Sequence, residues 1–323
     1  MAVWPLYWTP MAASLLTVRN LRVDYERTTA LSGFNLTMEA GHLLGLIGPN
    51  GAGKTTAMRA IAGLLPIAAG EVRVMGELVE PGNTATLAQI GFAPDTPPTY
   101  EDITVETFLR FVGKAYALKT SLIEERIEYW LERLWLTDKR KSKIKALSRG
   151  MKQRLTVART LLPDPALILL DEPAAGLDPA GRVEFRATLS SLRDSGKALI
   201  VSSHILADLH EYCTHIAIMA SGAVRQMGTV AQVVGGSDDN RCYYDVRLSQ
   251  ASEKAAAVLA GVSGLASIKI DGRMISFEYD HGDEAAGTLL KALVDGGLPV
   301  ARFVARDNGL EQAYLRTGIR QVD

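Results

Sequence analysis

Eight residues, Gly48-Pro49-Asn50-Gly51-Ala52-Gly53-Lys54-Thr55, constrain the fold more than any other stretch, because GxxxxGK(S/T) works only where a strand turns into a helix. The apolar run Leu43 to Ile47 before it reads as a buried strand, and Thr56 to Ile61 after it is compatible with a helix. Gly48, Gly51 and Gly53 let the backbone approach phosphate oxygens and aim N–H groups at them, and the helix N-terminus adds partial positive charge. In such a loop Lys54 reaches the β and γ phosphates and the Thr55 hydroxyl ligates Mg²⁺, with Asn50 and Thr56 counted among the nucleotide-binding residues. The loop is therefore expected to bind a nucleotide together with Mg²⁺.

The rest of the chain is organised around this loop. Short strands at Leu15 to Val18, Leu21 to Tyr25 and Phe34 to Met38 predict an antiparallel β layer ahead of it. Glu71 to Met75 and Ile90 to Pro94 add strands, and Thr104 to Trp135 carries helical periodicity, which predicts a helical insertion. Strands at Leu167 to Leu170, Ala198 to Val201 and Ile216 to Met219 then alternate with helices over about Ala180 to Asp194 and Ala207 to Cys213, the order of a parallel sheet with crossover helices. Gly235 to Asn240 is rich in glycine and polar residues and reads as a linker. Beyond it, Tyr243 to Leu248, Ala251 to Ala260, the hairpin of Ala266 to Ile270 with Met274 to Tyr279, Glu284 to Val294 and Val300 to Val304 give a βαββαβ order, with a short helix over Leu310 to Leu315. The expected domains are an extension (1–13), a nucleotide-binding domain (14–235, its helical part about 96–160), a linker (236–241) and an accessory domain (242–323).

Leu167 to Leu170 ends in Asp171-Glu172, two carboxylates at the carboxyl edge of the sheet, where open α/β folds place ligands. Asp171 can hold Mg²⁺ and Glu172 can take a proton from attacking water, or the pair can cap the turn at Pro173. Further motifs follow in order: Leu147-Ser148-Arg149-Gly150-Met151 running into a helix, Ala175-Gly176-Leu177-Asp178, and Ser202-Ser203-His204. With the aromatic Tyr25 ahead of the loop, they make the stretch from about Leu15 to Val234 resemble the nucleotide-binding domain of the ATP-binding cassette (ABC) family.

The resemblance implies an α/β fold, an ABC P-loop domain with antiparallel layer, parallel core and helical subdomain, and the βαββαβ order behind it suggests a small ferredoxin-like domain. The resemblance also narrows the nucleotide to ATP. It implies two cassettes meeting head to tail, so that Ser148, Arg149 and Gly150 of one cover the γ phosphate held by Lys54 of the other. Tyr25 stacks on adenine, Glu172 polarises water, His204 contacts the γ phosphate, and Asp178 couples the two sites. The pattern departs from the family's at Arg149 and Met151, and at Asp95 where glutamine is usual. Arg149 either adds a cationic contact to phosphate or faces solvent, and Asp95 is an oxygen ligand for Mg²⁺. Both departures resemble those of single-cassette exporter subunits. Phe92, Tyr100, Phe108 and Phe111 either line the groove that takes a helix of the membrane subunit or belong to the core.

Composition narrows the alternatives. In 323 residues, 35 basic side chains face 36 acidic ones, which argues against an overall polyanion binder. The run Lys139-Arg140-Lys141, Lys143, Lys145 reads as a solvated face, with anionic lipid or nucleic acid as the sharper readings. Cys213 and Cys242 have neither metal nor framework spacing, as in a reduced cytosolic protein. Residues 1–18 carry no charge before Arg19 but contain Pro5 and Pro10, so neither a membrane span nor a signal peptide is expected. The resulting expectation is the cytosolic ATPase subunit of an ABC exporter, peripheral on the inner membrane face. Its partners would be a second cassette and separately encoded integral membrane subunits, with no nucleic acid. The rivals are a soluble ABC ATPase acting on nucleic acid or a translation complex, and a non-hydrolysing nucleotide sensor.

Overall fold

The computed structural model describes residues 14–26, 28–96, 100–203, 206–235, 242–280 and 285–305. They fall into two compact units that divide between Val230 and Ala231. His204, the segment 236–241 and the short helix expected over Leu310 to Leu315 lie outside the described residues.

The first unit runs β1 (Leu16–Tyr25), β2 (Thr28–Met38), β3 (Leu43–Ile47), α1 (Lys54–Ile61), β4 (Ala69–Val74), β5 (Glu77–Leu78), α2 (Thr84–Ala88), β6 (Ile90–Ala93), α3 (Val105–Ala115), α4 (Thr120–Arg133), α5 (Arg149–Leu161), β7 (Leu167–Leu170), α6 (Pro179–Asp194), β8 (Ala198–Ser202), α7 (Leu206–Tyr212), β9 (His215–Ala220) and β10 (Ala223–Thr229). An antiparallel layer has the order β2-β1-β4-β5, and a second sheet has the order β10-β9-β3-β8-β7-β6. In the second, only β10 runs antiparallel to its neighbour. Every position of β3, β7 and β8 is buried, as expected of parallel strands covered on both faces.

Local chemistry explains where these elements differ from the expected ones. Leu15 to Val18 and Leu21 to Tyr25, expected as two strands, form one. Asn20 takes a left-handed φ of 47° and makes a bulge, so the inward set shifts from Leu16 and Val18 to Leu21 and Val23 without ending the strand. The helical stretch Thr104 to Trp135 is two helices, broken where Ala117 turns through a φ of 56°. Val105, Phe108 and Leu109 of α3 and Ile123, Ile127, Trp130 and Leu131 of α4 are buried beside α5. The basic run beyond α4 is largely neutralised. Lys139 pairs with Asp138, Arg140 with Glu106 and Glu124, and Lys145 with Asp102.

At the opposite end of the parallel sheet from the glycine loop, His42 and His215 stack with ring centroids 4.1 Å apart. Thr214 Oγ1 lies 2.9 Å from His215 Nδ1, and Glu39 N–H donates to His42 Nδ1. Burial lowers the His215 pKa first, the neighbouring His42 adds to the lowering, and Glu39 opposes it. A histidine whose folded pKa lies below its unfolded value of about 6.5 contributes full stability above that value and loses it as pH falls through the folded pKa. The melting temperature is therefore expected to drop on acidification below about pH 6.5, and His215→Phe should flatten that slope. Thermal melts between neutral and mildly acidic pH provide the check.

The second unit begins within α8 (Val230–Gly235) and continues β11 (Cys242–Leu248), α9 (Ala255–Ala260), β12 (Leu265–Asp271), β13 (Met274–Tyr279), α10 (Ala286–Asp295) and β14 (Val300–Ala305). The sheet order β12-β13-β11-β14, antiparallel throughout, is that of a ferredoxin-like sandwich. Tyr244, Val246, Ile275 and Phe277 face Leu259, Leu289 and Leu293 from its helices. The first of these helices starts at Ala255 rather than Ala251, leaving residues 251–252 outside regular structure.

Candidate functional site

β3 delivers the chain into the glycine loop, and α1 begins at Lys54 with Gly53 as its N-cap at φ 102°. The loop is wedged between other strands. A Cβ on Gly48 would stand 2.5 Å from the Met219 carbonyl oxygen of β9, and one on Gly53 would meet Leu31 and the Ala30 carbonyl at 2.9 and 3.0 Å. The turn between β9 and β10 secures it. Gly222 N–H donates to Ala52 O (3.0 Å), and Ser32 N–H donates to Gly222 O (3.1 Å). None of the elements expected from the sequence covers this turn or β10, although Ser221-Gly222 is a turn signal.

The polar groups of the site lie at or just beyond the ends of three neighbouring strands, β3, β8 and β7. Lys54 Nζ donates to the Gly48 and Pro49 carbonyls at 2.6 and 3.2 Å, so the ammonium is held by its own loop. Burial pulls its pKa down, while Glu172 and Asp171 push it up. Asp171 is 4% exposed, accepting from Thr55 Oγ1 on one oxygen (2.7 Å) and from Ser202 Oγ on the other (2.6 Å). Its own N–H donates to Ala93 O. Glu172 sits at a left-handed φ of 47°, and its N–H donates to Ser202 Oγ at 2.9 Å.

Ser202 is thus a second residue that sequence reading underrated, since the motif gives it no more weight than its neighbours. Fully buried, it bridges the two acids. Ser202→Ala removes both the donor to one oxygen of the buried Asp171 carboxylate and the acceptor of the Glu172 N–H. The expected loss is about 1–3 kcal/mol in a denaturant titration.

Ten of the expected residues line one cleft of about 570 Å³: Tyr25, Asn50, Gly51, Gly53, Lys54, Thr55, Thr56, Asp95, Asp171 and Glu172. Tyr25 stands at 47% exposure, an accessible ring face. Thr28, Thr29 and Ala30 complete the wall beside it, unforeseen because the start of β2 had no strand assignment. The donor set available to a cation, the Thr55 hydroxyl with the Asp171 and Asp95 carboxylates, is all hard oxygen and suits Mg²⁺. Among the described residues no three acid, histidine or cysteine side chains form a ready metal cage. A Mg²⁺ held through one or two carboxylates and phosphate oxygens requires none.

Ser148, Arg149, Gly150 and Asp178 do not line this cleft. Ser148 Oγ caps α5 by accepting from Met151 N–H, and Asp178 Oδ1 caps α6 by accepting from Gly181 N–H at 2.8 Å. The two caps share one packed surface. A Cβ on Gly150 would come within 2.7 Å of the Gly176 carbonyl, and the Arg149 side chain lies against Gly176. A separate groove of about 610 Å³ takes Phe92, Pro94, Phe111, Tyr116, Arg59 and Arg159 into its lining. Of the four aromatics weighed for such a groove, Phe92 and Phe111 line it. Phe108 is core at 2% exposure, and Tyr100 rests on Phe108 instead.

A phosphate cradle at the end of a buried parallel strand, with an acid pair on a strand two places away and a helical insertion between them, defines a P-loop nucleotide-binding domain. The chain belongs to the ABC transporter family. The family's model, described as ABC transporter, matches residues 31–175. The uncharacterized ABC transporter ATP-binding protein YhcH of Bacillus subtilis is 34% identical over 251 residues, 76% of this chain and 79% of its own. Nod factor export ATP-binding protein I of Ralstonia nicotianae is 28% identical over 312 residues, 95% of each chain. Two further relatives are matched over 64% and 66% of their length. A solved structure, the ATP-binding subunit of an ABC transporter, superposes with a TM-score of 0.64 and 31% identity, covering 68% of this chain and 91% of that one.

Proposed function

We propose that this chain is the ATP-hydrolysing subunit of an ABC exporter, closing as a homodimer around two Mg-ATP and driving separately encoded membrane subunits from the cytoplasmic face. The carrying observation is the division of the machinery. Lys54, Thr55, Asp171 and Glu172 share one cleft, while Ser148, Arg149 and Gly150 sit on another surface of the same chain. In this reading one chain holds half of each of two sites, and a second copy placed head to tail supplies the missing half.

In this reading Lys54 leaves the Gly48 and Pro49 carbonyls for phosphate oxygens, exchanging two neutral acceptors for charged ones. Thr55 and Asp171 hold the Mg²⁺, which neutralises phosphate charge when bound. Asp95 adds a carboxylate at the cleft wall, and Glu172 takes the proton of the attacking water. Tyr25 stacks on the base, Asp178 links the two sites, and His204 completes the γ-phosphate contacts. Arg59, Phe92, Phe111 and Arg159 receive a helix of the membrane subunit. No helix among the described residues is long and apolar enough to cross a membrane. The export named for the Ralstonia relative, matched along almost the whole chain, supports the direction.

Affinity purification of the tagged chain from detergent-solubilised native membranes tests the reading. A stoichiometric polytopic membrane protein is the expected companion. A soluble ribonucleoprotein in its place would put the rival ATPase first.

A further inference from the structure

Among the described residues, the accessory unit carries an open edge. β12 is an outer strand of its sheet, and all residues from Ala266 to Asp271 are exposed, with Ile268 at 40% and Ile270 at 43%. A two-residue turn, Gly272-Arg273, with Gly272 at φ 57°, joins it to β13. In a two-residue hairpin the flanking pair, Asp271 with Met274, exchanges its hydrogen bonds, and the pattern alternates along the strand. Asp271 and Lys269 therefore direct their backbone groups to β13, and Ile270 turns its N–H and C=O to the open edge.

We propose that β12 is a self-association edge, pairing antiparallel with β12 of a second copy about a two-fold axis at Ile270. The charges select that register. With Ile270 opposite Ile270, Lys269 faces Asp271 of the other copy and Asp271 faces its Lys269, giving two opposite-charge cross-strand pairs. They stand on the face away from α9 and α10, because their partners Ser276 and Met274 alternate with the core residue Ile275. The neighbouring symmetric registers fail. Centring on Lys269 sets lysine against lysine with backbone groups turned inward. Centring on Ile268 runs the new ladder through Ser267, whose left-handed φ of 51° interrupts the strand. A lysine on an edge strand ordinarily blocks pairing, and here it blocks every register but the complementary one.

This contact is separate from the nucleotide-driven closure of the cassettes and requires no ATP. It is tested on the full chain without nucleotide, by sedimentation equilibrium and by oxidative cross-linking. The wild-type chain should self-associate. Asp271→Lys sets two lysines opposite each other twice and should weaken association about tenfold. The swap Lys269→Asp with Asp271→Lys should restore it. Ile270→Cys should form a disulfide-linked dimer, since directly paired Cα atoms about 5.5 Å apart lie within disulfide reach. Ile268→Cys, set opposite Gly272 of the other copy, should not. A wild-type monomer at every concentration, association indifferent to the charge reversal, or equal cross-linking at both positions would overturn the proposal. None of these outcomes bears on the cassette reading, which is tested with nucleotide and membranes.

Discussion

Glu172→Gln is expected to slow ATP turnover by about 10²–10⁴-fold, the range for loss of a general base, while ATP stays bound. The substitution keeps the side chain's shape, and the bond holding this residue in place runs from its own backbone N–H to Ser202 Oγ, so the turn survives. What disappears is the carboxylate's ability to take a proton. Removing its negative charge also removes repulsion toward phosphate, and Lys54 retains Asp171 as a counter-charge. The variant should therefore accumulate as an ATP-bound dimer, visible by light scattering, with slow release of phosphate in single-turnover assays. Turnover equal to wild type would remove Glu172 from the role of base.

Asp171→Ala should abolish both turnover and the Mg²⁺-dependent part of nucleotide binding, and should cost stability as well. Two hydroxyls, those of Thr55 and Ser202, lose a charged acceptor in a buried place. Hydrogen bonds to charged groups contribute about 1.5–3 kcal/mol each, so a loss near 3 kcal/mol is expected after relaxation. Asp171→Asn separates the effects, because its amide oxygen can still accept one bond. It should melt closer to wild type, yet show no additional shift when Mg²⁺ is added to ATP. A normal Mg²⁺ response in Asp171→Asn would move the metal site elsewhere.

What the sequence revealed and what it hid follow from how far each signal reaches along the chain. β7 and the acid pair after it were legible because a buried parallel strand is an unbroken apolar run and its end is marked by charge. The glycine loop was legible because its spacing is local. Ser202 was not, since its importance lies in hydrogen bonds to residues about thirty positions away. β10 was missed because Ala223 to Thr229 mixes half-exposed and polar residues, and what fixes it as a strand is the β9 edge. The split of β1 failed for the opposite reason: a bulge at Asn20 mimics a turn in the alternation while hydrogen bonding continues across it. Phe108 shows the limit for side chains. Its helical spacing fitted both a groove and a core, and only packing chose the core.

β6 leads into a segment with two faces. Phe92 and Pro94 look into the groove, whereas the next residue, Asp95, looks into the nucleotide cleft. The Phe92 carbonyl is gripped by both Arg159 and Thr160, which ties this segment to α5, the helix that Ser148 caps. For inhibitor chemistry this gives the molecule a second address. A compound lodged in the groove would act one residue from the cleft without competing with nucleotide, so abundant cellular ATP would not outcompete it.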